Sequence, residues 1–322
     1  MIALAVSRLR SGNVVAFATE TVYGLGADTF NPAALERIYQ IKGRPFNNPL
    51  IAHVLDWDQA RLVCDVSAAG ESRFASFDTA KELASRFWPG PLTLVLPKAP
   101  RVPPQATAGL ATIAVRAPAH PVARKLLQAF SGPISAPSAN RSGHVSPTRA
   151  QHVAEDFADA DDLLILDGGA SDVGIESTVL DLTATPPRIL RPGAITAERL
   201  RETLGEVQSP HLQTQTASPG TASQHYAPHT PAELVTTSEI QDRLRQSQQP
   251  LAVLTFDASQ VASPHKAIEM PRDAEEYARA LYGALREADA LGCERMIIES
   301  PPQEADLWRA ITDRLRRAAR PQ

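Results

Sequence analysis

The chain has 322 residues, 43% hydrophobic and 21% charged, a balance that supports packed cores and excludes the low-apolar, high-charge signature of disorder. Its length exceeds what one hydrophobic core ordinarily serves, so two domains are expected. Residues 1–205 carry 20 Lys and Arg and 20 Asp and Glu, and residues 206–322 carry 12 and 16, so neither part has the basic excess that a grip on a nucleic-acid duplex needs. Cys64 and Cys293 lie far apart and in no CxxC spacing, which leaves no disulfide framework and no zinc knuckle. No apolar run approaches the ~18 residues of a membrane span. Arg8 and Arg10 interrupt the opening stretch where a signal peptide would be apolar, so a cytoplasmic protein with no membrane attachment is expected.

In chain order, apolar runs suited to buried strands fall at residues 14–18, 50–54, 92–96, 112–115, 163–166 and 177–182. Helical patterns interleave with them. Asn31-Pro32 opens a helix over 33–41, a second over 78–87 stops at Pro89-Gly90, and a third over 196–204 ends at Gly205. This α/β alternation predicts a first domain over 1–205. Residues 206–230 are rich in Gln, Ser, Thr and Pro and read as a linker, long enough to serve as a lid over a site. Beyond it, strands at 233–235, 251–256 and 296–298 and helices at 238–246, 273–291 and from 306 to about 319 predict a small Rossmann-like three-layer domain over 231–322. It has no Gly-rich phosphate loop after its first strand.

Three clusters carry unusual residue types. TETVYGLG (19–26) and KGRPFNNPLIAH (42–53) combine Gly24 and Gly26, which allow close approach by a ligand, with Lys42 and Arg44, which suit phosphate. PISAPSAN (133–140) places Ser135, Ser138 and Asn140 where loops at strand ends line the crevice of an α/β sheet. Ser146-Pro147 fits either a ligand contact or the N-cap and N1 pair of a helix carrying 150–157. GIESTVLDLTATPPRILRPG (174–193) adds Ser177 and, after a strand, Arg191, able to clamp a phosphate. No GxSxG elbow is present, which argues against acyl-enzyme chemistry.

The ordered series TETVYGLG, KGRPxxxPL, WPGPLTLVL, TIAVRxP, SAPSAN, ESTVLDL and RPG, spread over about 19–193, resembles the YrdC-domain family of threonylcarbamoyl-AMP synthases. The linker motif SPG...HYAP and the second domain are similar to those of its longer members. The resemblance implies a twisted mixed sheet with a ligand cavity, and an enzyme that joins L-threonine, bicarbonate and ATP into threonylcarbamoyl-AMP, releasing pyrophosphate. Mg²⁺ would accompany the ATP, and the product would pass to a tRNA threonylcarbamoyl transferase complex, without direct tRNA binding by this chain. It further implies threonine contacts at Thr21, His53, Arg116, the backbone of Ala136, and Ser177. Nucleotide contacts fall on Arg44, Asn48, Thr112, Ser138, Ser146, Arg191 and Tyr226. Lys42 and Arg44 would hold charge during adenylation, with no side-chain metal ligands. One departure is the run Thr221–Gln224, which lacks the basic residue that related linkers often carry.

The physical requirements agree with this division. An amino acid needs a fixed cation for its carboxylate and neutral groups for its amine and hydroxyl, and transfer to an α-phosphate needs cations rather than a protein nucleophile. The competing reading is an RNA-binding or ribosome-associated module, against which the neutral charge balance weighs. A third, carbamoyl transfer of the hydrogenase-maturation type, lacks its Cys-rich segment here.

Overall fold

A computed structural model describes residues 1–65, 77–160, 162–209, 226–302 and 305–319. Up to residue 209 the strands are β1 (Val15–Phe17), β2 (Gly24–Asp28), β3 (Ile51–His53), β4 (Leu92–Pro97), β5 (Thr112–Arg116), β6 (Ile134–Ser135), β7 (Leu164–Leu166), β8 (Thr178–Asp181) and β9 (Arg188–Arg191). They form one mixed sheet in the order β7-β1-β2-β6-β3-β5-β4-β8-β9. The helices are α1 (Ile2–Arg10), α2 (Pro32–Lys42), α3 (Trp57–Ala60), α4 (Phe77–Phe87), α5 (Pro104–Thr107), α6 (Pro121–Phe130), α7 (Ala150–Asp156) and α8 (Ala197–Leu204). Helix α2 starts where the sequence predicts: the Asn31 side chain accepts from the Ala34 amide, Pro32 occupies the first turn, and Gly43 closes the helix in the left-handed conformation.

Strand alternation decides where a site can form. Ala52, Leu94, Val115 and Leu180 point to one face, into the main core with α2 and α4. The next residues along the same strands, Ile51, Val95, Ala114 and Val179, make a small cluster on the other face. His53, Thr93, Arg116 and Ser177 continue that second face by the two-residue period. A register shift between β8 and β9 pairs Val179 with Arg191 and Leu180 with Ile189. This bulge turns Arg191 onto the site face, where strict alternation would have kept it with Ile189 in the core.

The second sheet contains β10 (Ala232–Val235), β11 (Leu251–Thr255), β12 (Lys266–Glu269) and β13 (Arg295–Glu299), all parallel, in the order β10-β13-β11-β12. Helix α9 (Thr237–Gln246) covers one face through Ile240 and Leu244. Helices α10 (Ala274–Ala290) and α11 (Asp306–Ala318) cover the other. This is the three-layer α/β unit expected. It has one strand more than the sequence suggested, because β12 is an edge strand with only Ile268 buried and so shows no apolar alternation. By sequence no strand is expected over 24–28, and Gly24 and Gly26 are expected to allow close approach by a ligand. Gly26 lies inside β2 instead, where a Cβ would come within 2.6 Å of the Phe17 ring, so its role is packing rather than ligand access.

The linker expectation over 206–230 falls largely on residues 210–225, outside those described. Gln208 still pairs with the edge of the first sheet, its amide donating to Pro187 O at 2.8 Å. Tyr226 is buried, and the Ala227 amide donates to Gly143 O at 2.9 Å. The two units share one apolar cluster that joins Val22, Val145 and Ile175 to Tyr277, Tyr282 and Leu281 of α10. Gly174, at φ +78°, lies against α10 so closely that a Cβ would meet Ala278 O at 2.4 Å. Arg286 clamps Asp156 with contacts of 3.0 and 2.7 Å.

Candidate active site

The site face of the first sheet floors an open-mouthed cavity. The sequence-predicted residues Thr21, Arg44, His53, Arg116, Ala136, Ser138, Ser177, Arg191 and Tyr226 all line it. Lys42, Asn48, Thr112 and Ser146 do not.

Arg116 ends β5 and is 3% exposed. Its Nη1 donates to Thr21 Oγ1 at 2.8 Å and its Nε to Gly90 O at 3.2 Å. Nη2 lies 2.6 Å from Glu20 Oε1 in an ion pair without hydrogen-bond alignment. The two hydrogen bonds, to Thr21 and Gly90, engage two of the five N–H groups of the guanidinium and fix its orientation in the cavity wall. Thr19 Oγ1 donates to Val22 O at 2.6 Å and sits 3.0 Å from Thr21 Oγ1, which holds the threonine run rigid. Ser177 Oγ is 2.7 Å from Thr93 Oγ1 and accepts from Arg191 Nη2 at 3.1 Å. His53 Nδ1 donates to Ile51 O at 3.1 Å, and burial, aided by the Arg116 charge, pushes the imidazole down to about 3. His53 is therefore a neutral polar surface across the physiological range.

The other half of the cavity is richer in cations. Arg44 Nε donates to Asn48 O at 3.1 Å and Nη2 to Pro49 O at 3.0 Å, so the guanidinium is pinned at the edge of the basic loop. Burial lowers it to about 10, still charged at neutral pH. Arg191 Nε donates to Ser177 O at 3.1 Å. Tyr226 closes this side from beyond the linker, 1% exposed and at φ 69°, a backbone region that costs a side-chain-bearing residue and is kept only by its surroundings.

Four predicted residues stand elsewhere. Lys42 is buried beneath the loop, its ammonium donating to Ser138 O at 2.6 Å and also to Asn140 O. Burial, with the Arg44 charge adding to it, holds that ammonium well below the usual lysine range. Lys42 thus braces the PSAN loop rather than facing the cavity. Asn48 contributes its main-chain carbonyl to Arg44, while its Oδ1 is buried without a hydrogen-bond partner. Thr112 begins β5, at the end opposite Arg116. The helix-cap alternative for Ser146 fails: α7 begins at Ala150 with Arg149 as its cap residue, and Ser146 Oγ donates to Glu176 Oε1 at 2.7 Å.

Glu176 is the cavity residue that sequence reasoning missed. It is 6% exposed and its Oε2 accepts from Tyr282 Oη at 2.8 Å and Arg314 Nε at 3.2 Å. Burial by itself would raise the carboxyl, but the Arg314 and Arg191 charges and the Ser146 and Tyr282 hydroxyls outweigh it and hold it below the usual range. A buried Glu requires a partner, which was the available signal. The partner lies 138 residues away, beyond any local pattern.

Comparison with known proteins agrees with this architecture. Residues 7–193 match the Sua5–YciO–YrdC family model, described as Telomere recombination, and residues 195–320 match that of the threonylcarbamoyl-AMP synthase C-terminal domain. The chain is 40% identical to the threonylcarbamoyl-AMP synthase of Pyrococcus abyssi over 337 residues, covering 99% of this chain and 94% of the relative. It is 41% identical to that of Bacillus subtilis over 335 residues, covering 99% and 92%. The crystal structure of P. abyssi Sua5 complexed with L-threonine superposes with a TM-score of 0.89 at 38% identity, covering 99% of this chain and 94% of that one. With both family domains present in order and a shared fold along their whole length, the chain belongs to the two-domain threonylcarbamoyl-AMP synthases of the YrdC-domain family, enzymes of the nucleotidyltransferase type.

Proposed function

We propose that this chain condenses L-threonine, bicarbonate and ATP into L-threonylcarbamoyl-AMP, pyrophosphate and water, and that the product serves tRNA threonylcarbamoylation. The observation that carries the reading is one cavity lined both by a buried Arg116 with hydroxyls beside it and by Arg44 and Arg191. The threonine carboxylate pairs with Arg116, and Thr21, Ser177 and the Ala136 backbone receive its polar groups. That P. abyssi Sua5 has been solved complexed with L-threonine supports threonine as the amino-acid substrate.

The threonine amine adds to bicarbonate and water departs, giving a carbamate. A carbamate oxygen then attacks the α-phosphorus and pyrophosphate leaves with the electron pair of the cleaved bond. Arg44 and Arg191 stabilise the charge that grows on the leaving phosphates. No protein nucleophile is needed. Catalysis rests on holding the reactants in line and shielding a labile carbamate from water, which the buried walls favour.

Mg²⁺ is expected with ATP. Among the described residues no group of three or more His, Cys, Asp or Glu gathers to hold a metal, and three donors already engage Glu176. These residues fit an ion carried on the polyphosphate rather than one caged by side chains. When bound, Mg²⁺ neutralises phosphate charge and favours departure of pyrophosphate. Among the described residues no helix is long and apolar enough to cross a membrane. The product is handed to a tRNA-modifying transferase complex. Exchange of labelled pyrophosphate into ATP that depends on both threonine and bicarbonate tests the reaction. Exchange without either substrate, or none at all, would refute it.

A further inference from the structure

Glu176 presents an electrostatic problem. A cavity that receives a polyphosphate has a carboxylate in its wall, where a poorly screened negative charge would repel the ligand. The C-terminal unit resolves it. Arg314, with no exposed surface, reaches across from α11 to Glu176 Oε2, and Tyr282 of α10 donates its hydroxyl to the same oxygen. Arg314 Nη1 donates to Pro192 O at 2.7 Å, the main chain next to Arg191. Its guanidinium carbon lies 5.6 Å from the centre of the Tyr226 ring, and Tyr282 stacks on that ring at 5.7 Å and 24°. Two side chains of the second unit thus contact Glu176, the main chain just after Arg191, and Tyr226.

We propose that Arg314 and Tyr282 are positioning residues for the nucleotide half of the cavity: they cancel the Glu176 charge and fix Tyr226, so that the C-terminal unit completes an ATP-binding wall that the first sheet does not make alone. This rests on the reading that the cavity binds ATP. Simple docking of the two units is served elsewhere by other contacts, such as Arg279 Nε on Asp172 O at 2.7 Å.

The test titrates MgATP and L-threonine separately into the full-length chain and into its Arg314→Gln, Tyr282→Phe, Glu176→Gln and doubly substituted Arg314→Gln/Glu176→Gln forms, with Arg279→Gln as a docking control. Arg314→Gln should weaken ATP at least about tenfold, because it strands a buried carboxylate beside the polyphosphate, and change threonine affinity by less than about threefold. Adding Glu176→Gln should recover most of the lost ATP affinity, a rescue that a purely structural role would not give. Tyr282→Phe should weaken ATP severalfold, and Arg279→Gln should leave both affinities unchanged. The proposal is overturned if Arg314→Gln binds ATP like the parent, or if both ligands weaken together without rescue. Should Arg314→Gln fail to fold, Tyr282→Phe decides, since it keeps the ring on Tyr226: unchanged ATP affinity overturns the proposal. If the parent chain binds both ligands but yields no adenylate, the proposed reaction falls and this inference remains. If it binds no ATP, both fall.

Discussion

The two halves of the cavity are built differently. Thr21, His53, Arg116 and Ser177 belong to the first sheet and its loops and are held by neighbours within that unit. Tyr226 and Glu176, on the cation-rich half, depend on Tyr282 and Arg314 from the second unit. A wall made within one sheet is as rigid as its strands. A wall completed by a second unit can be assembled or loosened by how that unit docks.

The largest effect separating the halves should come from Arg191→Ala. If Arg191 stabilises the leaving pyrophosphate as proposed, its loss lowers kcat about 10²- to 10³-fold and, because Arg191 also holds Ser177, weakens threonine by a smaller factor. Steady-state kinetics with a separate threonine titration checks it, and unchanged kcat would remove Arg191 from the phosphate role.

Glu20→Gln probes the self-contained half. It leaves the Arg116 guanidinium as a buried, uncompensated charge, a change that typically costs about 3 to 5 kcal/mol. Denaturant unfolding should show that loss while ATP affinity in the folded protein persists. A stability equal to the parent would mean the pair contributes nothing.

Gly174→Ala tests the dependent half from a distance. A Cβ there meets the backbone of α10 and occupies a left-handed conformation, so a destabilisation of about 1 to 3 kcal/mol is expected. ATP affinity should fall more than threonine affinity, and equal losses would argue against a wall completed by the second unit.

The remaining effect is in pH. Burial, with the Arg116 charge adding to it, pushes His53 down to about 3 from its ordinary value near 6.5, so the folded state favours the neutral ring. Its contribution to stability is full above about 6.5 and is lost as pH falls toward 3, because the unfolded chain then binds the extra proton. Thermal melts of the parent should decline over that window more steeply than those of His53→Gln. Parallel curves would mean that His53 does not drive the decline.

Local pattern reached only part of the site. Ser177 precedes a strand whose alternation is plain in STVLDL, so the pattern singled it out, whereas Arg116, at the end of TIAVR, was reached only through the family resemblance. The bulge that re-aims Arg191 leaves no mark in composition, and neither does the contact of Glu176 with a residue 138 positions away. Lysine beside arginine in a loop suggests phosphate, whereas the end of α2 turns the Lys42 ammonium inward onto the carbonyls of the PSAN loop. Strand β12 was missed because an exposed edge needs little apolar alternation.

Separate titration of L-threonine and MgATP into Arg116→Ala and Arg44→Ala tests the two-half division most directly. Arg116→Ala should lose at least about thirtyfold in threonine affinity and keep ATP affinity within about threefold, with Arg44→Ala showing the reverse. If each variant weakens both ligands alike, the cavity is not divided in this way.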